Sequence, residues 1–321
     1  MNDSTIRCIE PEPQTARKST AAGKLPEALT LRPLAPGMRG LLFSAAVLVL
    51  LAGIQLFVFT ERTDRFFAWT IADPLSATFL GAGYWAAVAI EALAGRQRLW
   101  ANARIAVPTV FVFTVLTLAV TLTHLGQLHL GARFPAGTQI VTVVWIVIYV
   151  AVPALMLVLL AVQARTPGTD PPRSAAGLPA WLHVLLGAQA AVLLGLGIAL
   201  FAAPGQAAPL WPWKLTPTMA QAIGAWLIAL GVAAGQALAE RDARRLRPAA
   251  VGYILLAALL AIALARYPHQ YAWESGSGIA YLIFLASMLL TGTVGLTRGL
   301  PRAALQSAHR PAAKGITGEA G

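Results

Sequence analysis

The stretch "RFFAWTIADPLSATFLGAGYW", Arg65 to Trp85, passes from charges and aromatics through Asp-Pro into an apolar, Gly-rich run. Each part suits a helix entering a lipid bilayer. Asp73 is a residue type whose side chain caps a helix N-terminus. Pro74 suits the first turn, where the N–H that proline lacks would have no partner anyway. Trp69 sits just before, where an indole can bury its ring and keep its N–H in water. Beyond Pro74 the run is long enough, at about 1.5 Å per residue, to cross about 30 Å of hydrocarbon.

Seven other runs read the same way. The eight spans cover residues 38–59, 74–94, 105–125, 138–163, 181–202, 217–238, 249–266 and 276–297, with Pro, Gly and charges in the gaps. The 321-residue chain is 57% hydrophobic and 12% charged, with a mean hydropathy of +0.67; a soluble domain carries about 25% charged residues. The fold class expected is an all-α, polytopic membrane bundle. A net charge of +11 would suit a nucleic-acid partner, but the basic residues lie in short gaps between apolar runs, where membrane topology explains them. No nucleic acid is expected as a partner. The lone cysteine, Cys8, allows no internal disulfide and no cysteine metal cluster. No cleavage site follows the first apolar run, so it is expected to remain as a helix.

Nineteen of the 24 Lys and Arg fall in the two tails and the second, fourth and sixth loops, and five in the odd loops. That asymmetry predicts both termini in the cytoplasm. A shift of 143 residues superposes Pro74 on Pro217, Gly81 on Gly224, Arg98 on Arg241 and Arg104 on Arg247, with Trp69 and Trp213 one residue out of step. The chain then divides into a disordered cytoplasmic tail (1–37), a first four-helix repeat (38–165), a cytoplasmic linker (166–180), a second four-helix repeat (181–297) and a cytoplasmic tail (298–321). Four spans per repeat give both halves one orientation, related by an axis along the membrane normal.

Pro74, Thr78, Gly81 and Trp85 share one helix face, and Pro217, Gln221 and Gly224 share the matching face of the sixth span. Gly permits close helix approach, and a polar group there must bond inward because lipid offers no partner. Helix packing accounts for this pattern, and so does a pair of polar groups lining a shared cavity. On the second reading Trp69, Asp73, Thr78, His124, Trp213, Gln221, Arg266 and His269 border one ligand site on the outer face, with Asp73 and Arg266 at its mouth.

The quoted segment, from Phe66 to Trp85, resembles the start of the second helix in a group of uncharacterised multi-pass bacterial integral membrane proteins. The likeness is specific over about twenty residues. It implies a bacterial plasma (inner) membrane location and no catalytic assignment.

His124 and His269 fall at equivalent ends of the third and seventh spans, so paired imidazoles could ligate haem iron or a metal, or relay protons. A wet interfacial imidazole explains each equally well. Glu91 is the acidic residue inside a span. It either reaches the interface and pairs with Arg96 or couples protons; the second half has Ala234 there. The acidic first loop admits a membrane-embedded transferase. No metal-protease, nucleophile-elbow, phosphate-loop or dinucleotide motif stands in a supportive context. The basic sixth loop, "ERDARRLRP", suits anionic lipids of the bilayer. The leading function class is therefore a transporter or small-molecule binding protein with an outward-facing site. A b-type haem- or quinone-linked redox protein is the alternative, then the transferase; whether the chain is an enzyme stays open.

Overall fold

The computed structural model describes residues 30–173 and 177–299. Cys8, His309 and the tail cations Arg302, Arg310 and Lys314 lie outside the described residues, as do most of the two tails. Among the described residues, eight helices are long and apolar enough to cross a membrane. They are α1 (Pro36–Gly53, continued by a π-helical turn, Ile54–Val58), α2 (Pro74–Gly95), α3 (Ala106–Thr123), α4 (Ala136–Arg165), α5 (Ala180–Ala202), α6 (Pro217–Glu240), α7 (Arg247–Arg266) and α8 (Gly276–Gly299). Short helical turns fill several connections, and the described residues contain no strands beyond three isolated backbone bridges. The expected all-helical fold, with eight helices of membrane-spanning length, is thus present among the described residues.

Local chemistry sets the helix starts. Asp73 Oδ2 accepts from Ser76 N at 2.9 Å and caps α2, with Pro74 at its first position. Thr216 Oγ1 accepts from Met219 N at 3.3 Å and caps α6, with Pro217 in the same place. Helix α4 shows how a face is chosen. Thr138, Thr142, Trp145, Tyr149, Pro153, Met156 and Gln163 are buried at helical spacing, while Ile140, Val147 and Val158 are exposed on the other side. An apolar exterior around a mixed interior is the arrangement that lipid requires.

Helices α2 and α6 are the most buried, at 67% and 61% of their central windows, and α4 and α8 the least, at 28% each. The two central helices therefore carry the assembly. Helix α1 packs on α2 and α5 on α6; α2 also packs on α7, and α6 on α3. Small residues make these approaches. A Cβ on Gly81 would stand 2.6 Å from Phe57 N at the end of α1, and one on Gly224 would stand 2.8 Å from Gly197 O on α5. Gly53 faces the Trp85 ring, and Gly197 faces the backbone of Ile228. Between lipid-embedded helices there is little hydrophobic drive, so close backbone contact of this kind supplies attraction. Inside each set of four helices lies an apolar core, with α1 to α4 meeting around Leu42, Val107 and Met156, and α5 to α8 around Leu186, Ala234 and Leu246.

The Lys/Arg-rich face is tied by ions and by backbone. Glu240 accepts from Arg104 Nε at 2.7 Å and from Arg245 Nη1 at 2.6 Å, while Arg104 Nη1 reaches Asp170 at 2.6 Å. Arg245 Nη2 also donates to Pro171 O at 2.8 Å. The hydrogen bond to Glu240 raises the Arg104 guanidinium further above its ordinary range, against the opposing effect of burial. Three loops distant in sequence are joined this way. Residues 30–35, expected as part of a disordered tail, instead form an ordered strap. Arg32 N donates to Thr169 O at 2.9 Å, Leu34 N to Arg98 O at 2.9 Å, and Ala35 N to Gln163 Oε1 at 2.8 Å. Gly168, at φ 122°, lies against Arg32, where a Cβ would come within 2.6 Å of its backbone nitrogen.

Candidate functional site

The opposite face, poor in Lys and Arg, holds the eight residues proposed from sequence, and the structure distributes them over several places. His124, at the end of α3, donates from Nε2 to Gln221 Oε1 at 2.6 Å, and Gln221 Nε2 donates to Phe201 O at 3.0 Å. Thr218 donates to Gln127 Oε1 at 2.7 Å and stands 3.2 Å from His124 Nδ1. This network assigns the His124 proton to Nε2 and leaves Nδ1 as an acceptor. Below it lies a small cavity of about 20 Å³, lined in part by Trp69, Thr117 and Thr121. Trp69, His124 and Gln221 are thus brought together. The Trp69 indole nitrogen is buried without a partner, and its ring meets Trp145 edge-on at 5.2 Å.

Trp213 and Asp73 meet through Ser76. Trp213 Nε1 donates to Ser76 Oγ at 2.9 Å, and Ser76 Oγ donates to Asp73 Oδ2 at 2.6 Å. Asp73 is therefore a helix cap and a brace for an indole. Trp213 and His269 line a wide groove of about 730 Å³ on the same face, together with Lys214 and Tyr271. Tyr271 donates to Gly278 O at 2.6 Å, and burial pushes its phenol up to about 12. Arg266 stands apart: its Nη1 donates to Phe57 O at 2.6 Å, satisfying a carbonyl at the end of α1. Thr78 is fully buried and donates to Pro74 O of its own helix at 2.6 Å. The eight residues do not border one cavity.

His124 Nε2 donates to Gln221 Oε1 and Nδ1 accepts from Gln127 Nε2 at 3.4 Å, so an iron ligand there would displace one of these partners. Among the described residues no group of three or more His, Cys, Asp or Glu is placed to hold a metal ion. Glu91 does not pair with Arg96; it is 2% exposed and its Oε2 has no hydrogen-bond partner.

A further apolar cavity was not among the sequence candidates. A cavity of about 140 Å³ lies between α5, α6, α7 and α8, running from the Lys/Arg-poor face toward mid-helix. Leu227, Leu256, Met288 and Phe284 form its walls, and Trp211 and Tyr281 stand at the end nearest that face. The residues 143 positions earlier are bulkier. Tyr84, Phe113, Trp145 and Tyr149 fill the matching interior of α2, α3 and α4, where the second half has Leu227, Leu256, Met288 and Gly292. The four rings pack closely, Phe113 to Tyr149 at 6.3 Å and Trp145 to Tyr149 at 4.5 Å. Exchanging four aromatics for three aliphatics and a glycine leaves volume unfilled. The sequence carries the difference itself, since these four positions and those 143 residues earlier differ in side-chain volume.

No family model, no curated protein and no solved structure matches this chain.

Proposed function

We propose that this protein is a multi-pass component of a bacterial inner membrane that binds a small apolar molecule from the outer face, as a transporter or ligand-binding protein. The cavity between α5 and α8 carries this reading. At about 140 Å³ and with almost wholly apolar walls, it is close to the size of engineered cavities, about 150 Å³, that bind benzene or xenon. Its mouth lies beside Trp211, below the groove lined by Trp213 and His269.

Three further parts of the reading have their own support. A four-plus-four repeat fits the paired close approaches at Gly81 and Gly224 and at Gly53 and Gly197. It also fits the reciprocal packing of α2 on α7 and α6 on α3. Cytoplasmic termini follow from the division of Lys and Arg. An anionic lipid partner suits the groove where Arg173 and Arg241 flank Gly235, Leu238 and Ala239 of α6.

Benzene titration of the purified protein tests the ligand reading through its tryptophan fluorescence, to which Trp211 contributes. Saturable quenching is expected. Leu256→Phe, which restores the aromatic residue of the first half, is expected to abolish it while the protein stays folded. Absence of saturable quenching, or equal quenching in the variant, overturns the reading.

A further inference from the structure

Two acidic residues belong to the spanning helices among the described residues, and their surroundings are opposite. Glu240 ends α6 and holds two arginines. Glu91 lies four residues inside the end of α2, is buried, and has no partner for Oε2. The residues beside it in the chain are apolar, and at this level of α2 Ile90 and Ala94 cluster with Leu42 of α1, Val107 and Val110 of α3 and Met156 of α4.

The titratable groups around it offer no positive charge in contact. On its own helix Tyr84 lies two turns away on the same face, and its hydroxyl is 2.7 Å from that of Tyr149 on α4. Helix α3 contributes no titratable side chain. Helix α7 packs on α2 through Gly252 against Ile90 and contributes Tyr253, whose hydroxyl is itself buried without a partner. Arg39 of α1 is engaged at the helix end, where its Nε donates to Gly95 O at 3.2 Å. An ionised carboxylate in such a place is strongly disfavoured, whereas the neutral acid is tolerated.

Packing does not require a carboxyl at this level. The corresponding residue is Ala234, which lines a void of about 20 Å³ with Leu186, Tyr253 and Thr291. The second half is thus built with a methyl group where the first half has an acid. From Glu91 to the last residue of α2 the rise is only about 6 Å, so the acid lies one turn from the Lys/Arg-rich face.

We propose that Glu91 is a proton-binding site inside the membrane, loaded and emptied through the Lys/Arg-rich end of α2. The step is a bare proton transfer: a carboxylate oxygen gains a proton from water at that face, the acid is neutral while buried, and release reverses it. This site is separate from the apolar cavity and does not depend on a ligand there.

Infrared spectroscopy of the full chain in lipid vesicles tests the proposal. The expected result is a carbonyl band of a protonated carboxylic acid, missing from Glu91→Gln, that moves to lower frequency on transfer to D₂O. An identical spectrum in Glu91→Gln overturns the proposal, because residue 91 is then ionised. A band that is lost in Glu91→Gln but does not move in D₂O overturns it too, because the proton is then locked. Should Glu91→Gln fail to fold, Glu91→Asp keeps an acid: a shifted band supports the assignment and an unshifted one ends it.

Discussion

A single hydrogen atom at residues 81 and 224 decides how near two pairs of helices come. Gly81 admits the backbone of Phe57, and Gly224 admits that of Gly197 and Phe201. Gly81→Ala and Gly224→Ala are each expected to lower stability by about 1–3 kcal/mol, the range for overpacking a tight seam. Gly40, with open space around it, serves as the comparison: Gly40→Ala should leave the thermal midpoint in detergent unchanged. The role of these glycines was legible, because the Pro–polar–Gly face recurs at the same spacing. The role of the polar partner was not. Thr78 turns back to its own helix, whereas Gln221 reaches across to His124. Spacing tells which face a side chain occupies, and the neighbour meeting that face is a tertiary fact. The same limit hid the apolar cavity between α5 and α8, which is a sum of volumes from four helices.

Elements were easier to read than their ties. The eight spans follow from hydropathy and the Asp73 cap from residue type and position. The strap at 30–35 does not. Its pairing uses backbone N–H and C=O groups, which every residue has, so nothing in its side chains announced it. The ionic tie at the end of α6 is likewise written in no local pattern, since its members come from three loops. Arg245 is 4% exposed and Arg104 29%. Breaking a buried pair strands its partner, so Arg245→Ala is expected to cost about 3–5 kcal/mol. Arg104→Ala, which removes a partly hydrated cation, should cost less. Chemical denaturation of both variants in detergent ranks them.

For the molecule as a whole, topology is the property that every other reading assumes. Asp64 lies in the first loop and Arg244 in the sixth, on opposite sides of the eight-helix assembly, and both are exposed. With Cys8 replaced by Ser, an impermeant thiol reagent on intact cells is expected to label Asp64→Cys and spare Arg244→Cys. Labelling in the reverse sense would place the Lys/Arg-rich face outside. The strap sets a further condition, on the order of biogenesis. Its backbone partner Thr169 follows α4. A nascent chain that has inserted only its first three helices can pair the strap with Arg98 and Trp100 but leaves Arg32 N without its Thr169 partner. The bond to Thr169 can therefore form only after the fourth helix has left the ribosome, and residues 30–35 act as a clasp whose last fastening comes late in synthesis although the segment is made before any of the eight helices.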